Sequence, residues 1–254
     1  NFTITTKDEL STIIADSRMP EGAKKNLKKL GNVIFINPTS VTYNSISSHP
    51  DIFFFQKDDA LIYAPNAPKR IIKELKKRKI KLIEGKKEVG KKYPETVPYN
   101  AVGIGNLLIH NLKHTDETIL SSYENHINVN QGYTRCNLLA LNENAFITSD
   151  VGIFNAVNSQ QTTDNSLYPH ESLVETYGRP SVLYIDPKQI KLEGQKNGFF
   201  PGCCGVWKNN LIVCGSTKNL KEKAELDKFL KENNFNLIEL YDGDLIDVGS
   251  VFFN

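Results

Sequence analysis

Acidic, thiol and imidazole side chains stand just before several short apolar segments of this chain. A carboxylate binds a planar cation through paired hydrogen bonds, a thiolate is the effective sulfur nucleophile, and an imidazole carries protons near neutral pH. Polar residues at the start of one apolar strand after another are hard to explain by packing alone, so we expect them to converge on a ligand site. The converging set is His49 with Asp51, Asn100, Arg135 with Cys136, Gly202 with Cys203, and Asp247 with Ser250.

An internal repeat explains why these positions are equivalent. Residues 52–63 form two short apolar segments around a polar turn, and residues 137–148 repeat the pattern without a gap, so that Asp51 aligns with Cys136. Residues 101–109 and 206–214 are further copies, with turns near Gly105 and Asn209. A helical pattern and one more strand follow each hairpin, which indicates a ββαβ unit.

The repeat predicts a single α/β domain over residues 1–254, in which five ββαβ units form a closed α/β propeller. The units cover residues 51–85, 100–131, 136–186, 202–242, and 245–254 together with 1–38. In the last of these, Leu245–Phe253 is expected to pair with the N-terminal segments Phe2–Ile4 and Val33–Ile36, which closes the ring and removes exposed sheet edges. One open, doubly wound sheet is the alternative.

Helices and one insertion complete the prediction. Helices are expected at Pro20–Leu30, Ala67–Lys79 and Asn219–Lys231, and Thr115 is expected to cap a further helix. The segment Asp186–Phe200 is expected to be an inserted loop or an extra hairpin.

Composition excludes several classes of protein. The net charge of +2 lacks the basic excess of a nucleic-acid-binding protein, and the basic run Lys73–Lys81 is expected to be a solvated helix face. Four cysteines without the spacing of a disulfide framework favour the reducing cytoplasm. No apolar segment approaches the roughly 18 residues of a membrane span, the start Asn1–Ile4 lacks the regions of a signal peptide, and neither zinc-ligand spacing nor a phosphate-binding glycine loop occurs. No cofactor is therefore predicted.

Seven short motifs, spread over nearly the whole chain, carry a family resemblance. They are Ser48-His49-Pro50-Asp51-Ile52, Tyr93-Pro94, Tyr99-Asn100-Ala101, Gly132-Tyr133-Thr134-Arg135-Cys136, Ile147-Thr148-Ser149-Asp150, Gly198-Phe199-Phe200 and Leu245-Ile246-Asp247-Val248-Gly249-Ser250. With these motifs the chain resembles the pentein, or guanidine-modifying enzyme, superfamily of α/β propellers. More narrowly, it is similar to an uncharacterised bacterial family with that fold.

The resemblance implies a chemistry. Enzymes of this superfamily use a cysteine thiolate to attack a guanidinium carbon, a histidine to move protons and two carboxylates to hold the guanidinium. It implies a catalytic set of Cys136, His49 and Asp51, with Cys203 as the other candidate thiol, and binding residues Asp247, Asn100, Arg135, Cys203, Asp150 and Ser250. The expected ligand is a small guanidino or amino-acid-like molecule.

The C-terminal unit departs from the enzyme pattern. In catalytic members the cysteine lies in the last unit, whereas Asp247–Phe253 contains no cysteine, and no histidine follows His170. Two functions stay open: a deiminase, dihydrolase or amidinotransferase that works through Cys136, and a non-catalytic binding protein with a protein partner on a basic face at Lys76–Lys79. A purely structural ring is a third. Each candidate residue also has a purely structural explanation. Cys136 can be a buried core thiol, His49 can cap the start of a strand, and Asp51 and Asp247 can accept hydrogen bonds from backbone amides of nearby turns.

Overall fold

The computed structural model describes residues 11–159 and 180–254. Over this part of the chain the strands are β1 (Thr12–Asp16), β2 (Asn32–Ile36), β3 (Phe54–Lys57), β4 (Ala60–Tyr63), β5 (Lys81–Glu84), β6 (Val102–Ile104), β7 (Leu107–His110), β8 (Asn125–Asn128), β9 (Leu138–Asn142), β10 (Ala145–Thr148), β11 (Ser181–Tyr184), β12 (Cys204–Trp207), β13 (Asn210–Val213), β14 (Asn236–Glu239) and β15 (Phe252–Phe253). The α-helices are α1 (Glu21–Leu27), α2 (Pro50–Phe53), α3 (Lys69–Lys77), α4 (Glu117–Leu120), α5 (Thr134–Asn137), α6 (Val151–Ser159) and α7 (Lys223–Glu232).

Four of the sheets repeat one plan. In each, a tight hairpin joins the first two strands in antiparallel pairing, and the third strand runs parallel to the second: β3-β4-β5, β6-β7-β8, β9-β10-β11 and β12-β13-β14. The hairpin turns lie at residues 58–59, 105–106, 143–144 and 208–209, where the alternation of apolar and polar residues predicts them. The predicted ββαβ units are therefore confirmed as separate three-stranded sheets, and the alternative of one open sheet is wrong.

The fifth sheet combines both ends of the described chain, in the order β15-β1-β2. Ile13 in β1 pairs with Phe253 in antiparallel register, while β1 runs parallel to β2. The predicted partner Phe2–Ile4 lies outside the described residues, and the pairing strand is Thr12–Asp16 instead. The predicted C-terminal strand is reduced to its last two residues, because the chain before it turns through positive φ angles at Gly249 and Ser250.

The local differences from the sequence prediction have physical causes. The strands expected to start at Ile52 and Asn137 begin at Phe54 and Leu138, because one turn of helix, α2 or α5, precedes each of them. The cap of α4 is Asp116 rather than Thr115, since the Asp116 carboxylate accepts a hydrogen bond from the Thr118 amide at 2.8 Å. A negative charge at this position also interacts favourably with the positive N-terminal end of the helix dipole.

Helices and strands bury their apolar faces between neighbouring sheets. Ile71 and Leu75 on α3 pack in one buried cluster with Leu61 and Ile62 of β4. Each buried side chain of this size stabilises the fold by about 1.5–3 kcal/mol. The first strands of neighbouring sheets also lie together, with β3 beside β6, β6 beside β9, and β12 beside β15. No helix among the described residues is long and apolar enough to cross a membrane.

The insertion after β11 forms a wall beside the C-terminal segment. It contains one turn of 3-10 helix at Pro187–Gln189. Lys191 then pairs with Ile246 in a parallel bridge, and the Lys191 carbonyl accepts a hydrogen bond from the Asp247 amide at 2.8 Å. The segment is thus the predicted inserted loop, and it is attached directly beside Asp247.

Candidate functional site

A buried hydrogen-bond network joins two repeat-equivalent side chains. Asp51 lies on α2, where Pro50 occupies the first helical turn, and Cys136 lies on α5. The Cys136 thiol donates to Asp51 Oδ2 at 3.1 Å, and the Ser250 hydroxyl donates to the same oxygen at 2.9 Å. The other oxygen, Asp51 Oδ1, has no hydrogen-bond partner among the described residues. The two elements therefore present one carboxylate and one thiol to each other.

Asn100 holds this network together. Its Nδ2 donates to the Asp51 carbonyl at 3.2 Å and to Cys136 Sγ at 3.3 Å, while its Oδ1 accepts from the Cys136 amide at 3.2 Å. All three residues are buried. Because the side chain of Asn100 makes three hydrogen bonds to Asp51 and Cys136, it positions these two residues and has little capacity left for a ligand.

The turn before β15 brings the C-terminal segment against α2. The Gly249 carbonyl accepts a hydrogen bond from the Asp51 amide at 3.2 Å. Gly249 has φ +64°, and a Cβ at this position would lie 2.1 Å from Cβ of His49. Only glycine allows this approach. The turn therefore places Asp247, Ser250 and His49 side by side.

Asp247 is a buried carboxylate with a perturbed pKa. Its Oδ2 accepts from the Phe199 amide and its Oδ1 from the Gly249 amide, each at 3.0 Å. Burial raises its pKa to about 6, His49 lowers it in part, and the charge of Asp51 raises it. Gly202 leaves room for the group, because a Cβ there would lie 2.2 Å from Asp247 Oδ1. Asp247 thus changes its charge just below neutral pH.

His49 is buried, and neither of its ring nitrogens has a hydrogen-bond partner among the described residues. Its Nε2 lies 3.7 Å from Oδ2 of Asp16, which is too long for a hydrogen bond. Asp16 itself is occupied by Arg18, which binds it at 2.9 Å, and by the Ser48 hydroxyl at 2.8 Å. A buried imidazole without partners is costly unless something else satisfies it.

Asp16 was not predicted from the sequence. It ends β1, a strand that the sequence analysis placed at Phe2–Ile4 instead. The available signal was an acidic residue directly after the apolar run Ile13-Ile14-Ala15, which is the pattern that nominated Asp150 and differs from that of the residues just before the strands.

A cavity of about 520 Å³ opens at His49 and Asp247. Asp16, Arg18 and Ser45 also line it, and the inserted segment supplies the opposite wall from Lys188 to Lys196. We call this space the larger cavity. Lys188 and Lys196 have no ion-pair partner among the described residues, whereas Lys191 pairs with Asp244 at 2.5 Å. The lining of the larger cavity therefore places the Asp247 carboxylate and the Arg18–Asp16 pair on one side, and Lys188 and Lys196 together with Glu193 on the inserted segment.

Cys136 lacks the surroundings of an activated nucleophile. Burial, followed by the charges of Asp51 and Asp247, raises the pKa of its thiol well above the ordinary value. His49 makes no hydrogen bond to it, and Cys136 is not among the residues that line the larger cavity. Because the thiolate is the reactive form, Cys136 in this state is a hydrogen-bond donor to Asp51.

The remaining predicted site residues are distributed around this centre. Burial raises the pKa of Cys203 well above its ordinary value, and its thiol lies 3.5 Å from the Phe199 carbonyl. Arg135 donates to the carbonyl oxygens of Pro201 and Cys204. Asp150 makes none of these contacts. Its Oδ1 accepts from the Ile153 amide at 2.8 Å and caps α6.

Metal ligands are not grouped in this site. Within residues 11–159 and 180–254, no three His, Cys, Asp or Glu side chains are placed to hold one ion. The arrangement instead offers the Asp247 carboxylate and the unpartnered His49 imidazole to a polar organic ligand.

Solved structures share this fold over nearly their full lengths. An inosamine-phosphate amidinotransferase, StrB1 from Streptomyces griseus, matches with a TM-score of 0.53 at 11% identity, covering 95% of this chain and 94% of that one. SxtG, an amidinotransferase from Microseira wollei in saxitoxin biosynthesis, matches at 0.52 and 14%, covering 91% and 88%. DDAH from Pseudomonas aeruginosa, in complex with citrulline, matches at 0.50 and 10%, covering 91% of each chain. At these identities the likeness shows the fold alone.

The chain therefore has the fold of the pentein, or guanidine-modifying enzyme, superfamily, as the motifs predicted. Residues 14–252 match the model described as "Family of unknown function (DUF6873)". The chain belongs to that family. No curated protein has a sequence that matches it.

Proposed function

We propose that this protein binds a small amino-acid-like molecule with a guanidinium or ammonium group in the larger cavity. The observation that carries the proposal is His49, a buried imidazole without partners that faces this cavity beside Asp247. Asp247 binds the cationic end of the ligand, and the unpartnered nitrogens of His49 exchange hydrogen bonds with it. Solved structures with this fold, among them two amidinotransferases and DDAH in complex with citrulline, support the same ligand class.

The opposite wall supports a ligand with a second, negative end. Lys188 and Lys196 extend from the inserted segment into the lining of the larger cavity. A ligand carboxylate would bind these ammonium groups while the cationic end of the same ligand binds Asp247. The two lysines thus favour an amino acid over an amine that has no carboxylate.

Calorimetric titration of the whole chain with three ligands tests this assignment. L-Arginine carries both charged ends, agmatine lacks the carboxylate, and L-norleucine lacks the distal cation. We expect L-arginine to bind most tightly. Loss of a charge-assisted hydrogen bond in Asp247→Asn weakens this binding at least about tenfold. Lys113→Gln, an exposed change outside the cavity lining, serves as the control.

The lysines of the inserted segment lead to a separate prediction for the same titration. Lys196→Gln weakens the binding of L-arginine and leaves that of agmatine unchanged, since agmatine has no carboxylate. Equal affinities of the three ligands, or full binding of L-arginine by Asp247→Asn, would contradict the proposal.

A second candidate function is cysteine-dependent modification of the guanidino group. The hydrogen bond from Cys136 to Asp51 favours it, because that carboxylate is placed to accept the thiol proton. The raised pKa of the thiol and its position outside the lining of the larger cavity favour binding without turnover. Release of ammonia, urea or citrulline from L-arginine by the wild type, abolished in Cys136→Ala, would instead assign turnover with Cys136 and His49 in catalytic roles.

The proposal also includes a closed ring of sheets, a single domain and a cytoplasmic location. In this proposal the five sheets surround a common axis as a single propeller. The contacts of β3 with β6, β6 with β9 and β12 with β15, and the sheet that joins both ends of the described chain, support it. All four cysteines are free thiols, which agrees with a reducing compartment such as the cytoplasm. A protein partner at the basic face Lys76–Lys79 remains a prediction. A pull-down that compares the wild type with a variant in which these residues are replaced by glutamate tests it.

A further inference from the structure

A second cavity, of about 240 Å³, contains Arg135. It shares no lining residue with the larger cavity, and we call it the smaller cavity. Every sheet contributes one strand to it: β3 with Gln56, β6 with Val102, β9 with Ala140, β12 with Val206 and β15 with Phe252. The lining combines aliphatic and aromatic side chains with polar ones, and its charged residues are Arg135 and Asp58.

The guanidinium of Arg135 is weakly satisfied. Nη1 donates to the Pro201 carbonyl at 3.3 Å and Nη2 to the Cys204 carbonyl at 3.4 Å. Both bonds are long, both acceptors are neutral, and a guanidinium offers five N–H groups. Among the described residues, no carboxylate forms an ion pair with Arg135. The cation therefore keeps donors free at the wall of the smaller cavity.

Nearby acids do not take up these donors. Asp58 lines the smaller cavity, but it is exposed and pairs with Lys57 at 3.1 Å. Burial lowers the pKa of Arg135, and the charge of Asp51 raises it in part. However, Asp51 Oδ2 accepts from Cys136 and Ser250, and Oδ1 has no hydrogen-bond partner among the described residues, so neither oxygen takes a donor of Arg135. Arg135 is half-buried, and its guanidinium carbon lies 5.8 Å from the centre of the Phe252 ring, a contact that uses no N–H donor. A half-buried cation without a partner of opposite charge is the condition under which an anion binds.

We propose that the smaller cavity binds a small aliphatic carboxylate, whose two oxygens accept from Arg135 and whose carbon chain packs on Val206, Val251 and Phe252. The planar carboxylate fits the guanidinium through paired hydrogen bonds. The aliphatic and aromatic side chains of the lining favour a hydrocarbon tail over a second charged group. This site lies apart from the larger cavity and does not depend on the ligand assigned there.

Titration of the whole chain with sodium butyrate, sodium acetate and sodium phosphate tests this site. We expect saturable binding of butyrate, weaker binding of acetate because it lacks two methylene groups, and the weakest binding of phosphate. Arg135→Gln weakens butyrate binding at least about tenfold, whereas Lys113→Gln leaves it unchanged. Absence of saturable butyrate binding by the wild type would overturn the assignment, as would phosphate binding as tight as that of butyrate.

A second variant keeps the test independent of whether Arg135→Gln folds. Ala140 lines the smaller cavity, so Ala140→Glu brings a carboxylate of the chain itself to Arg135. This variant is expected to lose butyrate binding and to keep L-arginine binding in the larger cavity. Butyrate binding by folded Ala140→Glu with wild-type affinity would refute the site. The two ligands thus separate failure here from failure of the function proposed above.

Discussion

The perturbed pKa of Asp247 makes the stability of this protein depend on pH in a specific way. Burial raises that pKa to about 6 from an ordinary value of 3.8. Because the folded-state pKa lies above that of the unfolded chain, the protonated carboxyl favours the folded state. This contribution is complete below pH 3.8, and it is lost as the pH rises through about 6. A difference of about two pKa units corresponds to roughly 3 kcal/mol.

Asp247→Asn isolates this contribution. The amide cannot ionise, so the free energy of unfolding of the wild type should fall by about 2 kcal/mol more than that of the variant between pH 4 and pH 7. The amide also loses one of two backbone hydrogen bonds, but that loss shifts the whole curve and leaves its shape unchanged.

Urea denaturation at several pH values measures both curves. Asp58→Asn is the control, because Asp58 is an exposed carboxylate in a hairpin turn. Its curve should stay parallel to that of the wild type. Parallel curves for the wild type and Asp247→Asn would refute the reasoning, since they would show that the carboxylate is not held in a desolvated site.

Three further outcomes follow from the same contacts. L-Arginine should bind about tenfold more tightly at pH 7 than at pH 5, because the cation favours ionised Asp247, and calorimetry with Asp247→Asn should show no such change. Iodoacetamide at pH 8 should modify none of the four buried cysteines in the folded protein and all of them in urea; mass spectrometry that finds selective modification of Cys136 would reveal an activated thiol. Ser250→Ala should lower the free energy of unfolding by about 1–2 kcal/mol, because Asp51 loses a buried donor, whereas Ser121→Ala, at an exposed helix end, should change it by less than about 0.5 kcal/mol; equal losses in denaturation curves would contradict the role of Ser250.

The alignment of the repeat units explains why the proximity of Asp51 and Cys136 can be predicted from the sequence. Asp51 and Cys136 occupy equivalent positions in two units, and a fold built from similar units brings such positions together without knowledge of any contact. Their side chains lie 3.1 Å apart. Whether they act on a ligand is a prediction that the sequence does not decide, because the same alignment fits a buried structural hydrogen bond.

Other parts of the site depend on contacts that no local pattern encodes. Asp16 lies in a strand whose partner is at the far end of the chain, and its approach to His49 depends on that pairing. The inserted segment has no repeat equivalent, so its position beside Asp247 comes from long-range contacts such as the bridge between Lys191 and Ile246 and the ion pair of Lys191 with Asp244. Asp150 shows the converse case. Its place at the end of a strand suggested a ligand, but the helix that follows uses it as a cap.

The C-terminal unit links the fold to the choice between binding and turnover. Ser250 donates to the same Asp51 oxygen as Cys136, so two neutral donors stabilise one buried carboxylate. Ionisation of Cys136 would replace a donor with a second anion 3.1 Å from that oxygen, and burial would make the repulsion strong. A cation at Asp247 would offset this repulsion only from the larger cavity, whose lining does not include the thiol. The network therefore stabilises the uncharged thiol, which favours the proposed function, in which His49 and Asp247 recognise the ligand.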